Sequence, residues 1–122
     1  MEDLFSYFGF LVFSSIVEGL FWSRYRGTYE KWSFDNPHGW LVLMRCSVWV
    51  MFLPDWMLVS AMILSFPFFH DGIYYTTRHL INKDDYPKHF FDVSTTSKAL
   101  SMSFKWRLIL MIVASHLFIL GW

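Results

Sequence analysis

His70 and Asp71 stand next to each other with side chains suited to proton chemistry: an imidazole that titrates near neutral pH and a carboxylate that can orient it. They are the candidate catalytic residues, as a base and its orienter acting on a lipid headgroup. Glu18 and Arg45 are ionisable groups inside otherwise apolar sequence, and Arg78 and His79 follow His70 by about two helical turns. Glu18, Arg45, Arg78 and His79 are the candidate ligand-binding residues, the arginines suiting an anionic headgroup phosphate. Glu18, His70 and Asp71 also supply the carboxylate and imidazole donors from which helical bundles build metal sites. No HExxH or paired ExxH spacing accompanies them, so the sequence specifies no metal and no other cofactor. The structural alternative is an ion pair between Glu18 and Arg45, with His70-Asp71 marking where a helix meets the headgroups. Adjacent residues on a helix point about 100° apart, which weighs against a joint role for His70 and Asp71.

The elements that must position these groups follow from composition. Of 122 residues, 55% are hydrophobic and only 16% charged, whereas a soluble domain of this size needs a polar coat with about 25% charged residues. Lipid is therefore the expected solvent. The apolar content disfavours disorder, the lone Cys46 disfavours a disulfide framework, and ten cations against ten anions leave no basic field for nucleic acid.

Apolar runs of membrane-spanning length predict an all-α, polytopic transmembrane bundle in one integral membrane domain. The expected spans are residues 4–22, 40–53, 56–75 and 104–122, with a charged loop over 76–103. The first run, fronted by Glu2 and Asp3, has the wrong charge for a cleaved signal and is expected to remain as an anchor. The turn cluster Asn36-Pro37-His38-Gly39 precedes the second run, and Pro54-Asp55 divides the apolar stretch that follows. The division gives four spans, preferred over three with one long kinked helix. Four spans put Arg24, Arg26, Lys31, Arg78, Lys83, Lys88, Lys98, Lys105 and Arg107 on one side, the cytoplasm by the positive-inside rule, with both termini opposite. Trp22, Trp32, Trp40, Trp106, Tyr74 and Tyr75 then mark the cytoplasmic interface, and Trp56 and Trp122 the other.

In this topology Glu18, Arg45 and His70 lie at one depth, roughly 6–8 Å below the cytoplasmic interface, where pairing relieves the cost of isolated charge. Asp71, Tyr74 or Tyr75, and Arg78 recur on one helical face. Ser15 with Gly19, and Ala61 with Ser65, are small-residue pairs that let helices approach closely. His116 is expected to bond a backbone carbonyl or serine, Asp55 to cap a turn, and Cys46 to be a buried inert thiol. Ser94-Thr95-Thr96-Ser97 offers N-caps for the last helix, and His89-Phe90-Phe91 an interfacial strip.

The string His70-Asp71-Gly72-x-Tyr74-Tyr75-x-x-Arg78, then Tyr86-Pro87-Lys88 and Asp92-x-Ser94-Thr95-Thr96-Ser97-x-Ala99, resembles small multi-spanning proteins of bacteriophage and prophage origin. The resemblance covers the second half of the chain and implies an envelope function in the bacterial inner membrane, without supplying a catalytic residue. The ending Leu120-Gly121-Trp122 differs from the charged tail common in holins. Two functions are expected on these grounds. One is a non-enzymatic membrane protein acting by lateral helix association, as a homo-oligomer or with the spans of a partner protein. The other is a lipid-binding protein or lipid-modifying enzyme with a His/Asp/Glu site at the cytoplasmic leaflet.

Overall fold

The computed structural model describes residues 2–25, 37–52, 55–97 and 100–121. They form four helices, α1 (Glu2–Tyr25), α2 (Pro37–Met51), α3 (Trp56–Ile81) and α4 (Phe104–Leu120). A short antiparallel hairpin, β1 (Ser94–Ser97) with β2 (Leu100–Met102), precedes α4. Two helices, over Leu4–Ser23 and Trp56–Ile81, are long and apolar enough to cross a membrane.

Local chemistry explains the helix ends. Pro37 opens α2 instead of remaining in the expected turn, because a proline at the first helical position loses a donor that has no intrahelical acceptor there. Asp55 caps α3 as anticipated, its Oδ1 accepting from the Leu58 amide at 3.0 Å. Helix α3 continues six residues beyond Tyr75, with Arg78 and His79 in the last turn, where cations complement the helix dipole, and Asn82 as C-cap. The N-cap of α4 is Ser103, not a residue of the Ser94–Ser97 cluster, which is paired as a strand.

Three sets of contacts define the directions of the helices. Along α1, Tyr7 hydroxyl donates to the Met62 carbonyl at 2.9 Å, Glu18 meets His70, and Gly19 lies beneath Thr77, so α1 and α3 run parallel. Phe104 contacts Phe68 at one end of α4 while Gly121 lies against Met57 at the other, so α4 is antiparallel to α3. The Arg45 guanidinium stands 5.3 Å from the Phe66 ring centroid, and Trp49 contacts the same ring. In one continuous helix, positions 45 and 66 would be about 30 Å apart. The chain therefore folds back between α2 and α3, and the directions alternate.

Helix α3 is central, packing against both α1 and α4. At one end Tyr7, Leu11, Ala61, Met62, Ala114 and Phe118 form an apolar core. At the other, Trp22, Tyr74 and Tyr75 cluster. The small residues expected to mediate helix approach are used within the chain: Ser15, Ala61 and Ser65 are buried, and a Cβ added to Gly19 would lie 3.0 Å from Thr77 Cβ and 3.2 Å from the Tyr74 carbonyl oxygen.

Candidate functional site

Glu18 on α1, Arg45 on α2 and His70 on α3 meet at the level that their positions in the sequence predict. Arg45 Nη2 donates to Glu18 Oε2 at 2.6 Å, and His70 Nε2 lies 2.8 Å from the same oxygen. On its other edge His70 Nδ1 is 2.9 Å from Asp71 Oδ1, so the two neighbours touch despite their divergence on the helix. Ser94 Oγ donates to Asp71 Oδ2. The result is a chain, Arg45–Glu18–His70–Asp71–Ser94, whose members are all buried, with Glu18 only 1% exposed.

Proton counting constrains this chain. An imidazole donates at both nitrogens only as the imidazolium; when the ring is neutral, one of the two carboxyl groups must hold the proton instead. Because both ring nitrogens are engaged, no lone pair remains for a substrate or a metal in this arrangement. Among the described residues, no group of three or more His, Cys, Asp or Glu side chains is arranged to hold a metal ion. That includes the Glu18, His70 and Asp71 set, in which both nitrogens of His70 are already bonded.

The ring of His70 is also fixed from above and below. It stacks on Phe66 at 4.6 Å with planes 10° apart and faces Tyr74 at 5.9 Å with planes 16° apart, a column at four-residue spacing along α3. Arg45 stands over Phe66 at one end of the column, and Arg78 stands over Tyr74 at the other. Of the expected face of Asp71, Tyr74 or Tyr75, and Arg78, Tyr74 and Arg78 belong to this column and Asp71 does not; the column orients the imidazole by packing.

Arg78 and His79 do not join the cluster. Arg78 Nη1 donates to Tyr74 hydroxyl at 2.9 Å and its guanidinium lies 3.9 Å above the Tyr86 ring. His79 Nδ1 lies 2.9 Å from the Tyr86 carbonyl, on the far turns of α3. His79 therefore stands apart from Glu18, its fellow candidate for ligand binding, because a helix that continues to Ile81 carries residue 79 past the cluster.

The segment after α3 closes the Asp71 end. Phe90 packs directly on Gly72, where an added Cβ would overlap its ring, and contacts Phe68 and Phe104. Phe90 therefore docks on the helices, while Phe91 remains exposed as an interfacial residue would be. Arg107 Nη2 donates to the backbone carbonyls of Phe90 and Asp92, the latter at 2.8 Å. Arg107 is fully buried, and its Nε and Nη1 find no acceptor among the described residues.

By sequence Arg107 belongs with the peripheral cations and Ser94 with the candidate helix caps. The usable signal for Arg107 was its depth: it lies three residues inside the last apolar run, unlike exposed Lys105. No signal in the sequence joined Ser94 to Asp71. The interface aromatics divide as well, with Trp40, Trp56 and Trp106 outward and Trp22, Tyr74 and Tyr75 inside; Trp32 and Trp122 lie outside the described residues. Cys46 is exposed, because Arg45 points inward and the next residue is turned away. His116 Nδ1 lies 2.8 Å from the Ile112 carbonyl, as expected. Comparison with family models, curated proteins and solved structures found no significant match to this chain.

Proposed function

We propose that this is a small integral membrane protein of four spans, set in a bacterial inner membrane with its charged loops cytoplasmic, that acts by lateral association with other spans. The observation that carries the reading is the inverted distribution of polarity. Glu18, Arg45, His70, Asp71 and Arg107 are inside, whereas Phe13 (71% exposed), Val17, Ile63, Ile112 and Val113 face outward. Water would reward the opposite arrangement, and lipid rewards this one. Alternating helix directions support an even number of crossings. The 15 residues of α2 and 17 of α4 reach about 22 and 25 Å, so a locally thinned bilayer or interfacial flanking residues would complete their spans.

Lateral association is supported by what remains available. The ionic groups and small-residue faces are engaged within the chain, which leaves large apolar side chains as the surface that other spans meet. Membranes stripped at alkaline pH should retain the protein, and native mass spectrometry from mild detergent should record a defined homo-oligomer or a complex with a second membrane protein. Release at alkaline pH would contradict membrane integration; a solitary monomer would contradict association. The phage-like motif string supports placing the protein in a bacterial envelope.

A further inference from the structure

The bonding pattern of His70 points to an activity that lateral association does not use. We propose that the seam between α1 and α3 is a proton path, in which His70 carries protons between Glu18 and Asp71. The inference rests on the membrane reading above, because a proton path has meaning only between two aqueous compartments.

An imidazole can accept a proton at one nitrogen and release a different one at the other. Here Nε2 faces Glu18 and Nδ1 faces Asp71, at 2.8 and 2.9 Å, so both ring nitrogens are already hydrogen-bonded to the groups that would give and take the proton. The step balances. The Glu18 O–H bond breaks as an Nε2–H bond forms; the Nδ1–H bond breaks as an Asp71 O–H bond forms. One proton leaves Glu18, one arrives at Asp71, and the ring changes tautomer; each further proton requires the ring to swing out of this bonded geometry and return in the first tautomer. Chains of Asp, Glu and His within membrane helices are characteristic of proton relays.

Every packed element contributes a charge or a dipole to this unit. Glu18 comes from α1, Arg45 from α2 and Asp71 from α3 itself, while the segment before α4 supplies the Ser94 hydroxyl. Arg107 of α4 lies buried near the Asp71 end, anchoring Phe90 and Asp92 beside it. Arg45 stabilises the ionised form of Glu18 after its proton has left, and Ser94 does the same for Asp71.

The seam continues beyond Glu18. Ser14 and Ser15 on α1 and Ser65 on α3 are buried, and Tyr7 and Ser65 both donate to the Met62 carbonyl. From Met62 to Asp71 this line of buried hydroxyl and ionisable groups covers about 14 Å of a hydrocarbon core roughly 30 Å thick. Tyr7 is five residues from the start of α1, and Ser94 leads into the polar segment at the opposite end. About 16 Å of the core remains, shared between the two ends of the line. Hydroxyl groups whose protons rest on helix carbonyls still present lone pairs to a transient water, which is how such a line links its members.

The test uses the full chain reconstituted into vesicles of neutral and anionic phospholipid, with a pH-sensitive dye inside and a potassium diffusion potential imposed by valinomycin. Flotation first reports whether the protein inserts, and failure to float would overturn the membrane reading itself. Inserted wild-type protein should acidify or alkalinise the lumen faster than protein-free vesicles, in the direction set by the potential. H70Q, which keeps a donor and an acceptor but cannot exchange protons between them, should return flux to the protein-free rate. If H70Q fails to insert, E18Q and D71N serve instead, each expected to give the same loss. Flotation of the wild type with flux equal to protein-free vesicles would overturn the proton path, as would unchanged flux in inserted H70Q.

Discussion

The two ends of the helix pair α1 and α3 are held by different physics. At the Tyr7 end, Leu11, Met62, Ala114 and Phe118 interlock, with Phe8 meeting Phe118 edge-on at 5.7 Å. At the Glu18 end, ion pairs and short hydrogen bonds tie α1, α2 and α3 to the segment before α4. Packing forgives small errors, because each contact contributes little and neighbours relax. A buried ionic chain does not, because removing one member leaves its partner's charge uncompensated. The ionic end should therefore be where single changes cost most, and where the cost depends on what else has been changed.

That contrast is broken or sharpened first at the ion pair. Arg45→Met should destabilise the folded protein by about 3–5 kcal/mol, since Glu18 keeps its charge with His70 as its remaining partner. Adding Glu18→Gln to Arg45→Met should recover much of that loss in reversible unfolding in mixed micelles; strictly additive effects would dissolve the distinction between the two ends. Met62→Ala at the apolar end should cost about 2–3 kcal/mol, from lost packing and a cavity beside Tyr7 and Ala114. This cost should change by less than about 0.5 kcal/mol when Arg45 has also been replaced, because the only shared contact the described residues show is Phe66, which lies under Arg45 and packs on the apolar core.

A smaller effect sharpens the role of the closing segment. Gly72→Ala forces the Phe90 ring aside and should cost about 1–3 kcal/mol, with faster proteolysis between Asn82 and Ser94. Phe90→Ala in the same chain should relieve the clash, and Gly72→Ala should then be nearly neutral. The smallest change is Asp55→Ala, which removes the α3 cap at 3.0 Å from the Leu58 amide and should lower stability by about 1 kcal/mol.

The ionic end was legible in the sequence for a definite reason. Charge inside apolar runs is rare, so Glu18, Arg45 and His70 stand out, and equal depth makes Glu18 and Arg45 the economical pair. The cap at Asp55 was legible because aspartate after proline between apolar runs has few other uses. The apolar end was not legible. In a chain that is 55% hydrophobic, nothing in residue type separates inward Leu11 and Phe118 from outward Phe13 and Ile112. Arg107 and Ser94 escape a reading of the sequence because the segment after α3 folds back, bringing the Phe90 and Asp92 carbonyls to Arg107 and Ser94 itself to the Asp71 carboxylate, and such a fold-back leaves no periodic signature. The same limit applies to His79, whose distance from the cluster depends on where α3 stops.

The central claim is that the polar interior belongs to a bundle crossing a membrane four times. Single cysteines at Glu2, Asp55 and Asn82, introduced into a chain carrying Cys46→Ser and labelled in intact membranes with an impermeant maleimide, test it most directly. The account predicts that Glu2 and Asp55 react from one side and Asn82 only from the other. Labelling of Glu2 and Asn82 from the same side, or of Glu2 and Asp55 from opposite sides, would contradict it.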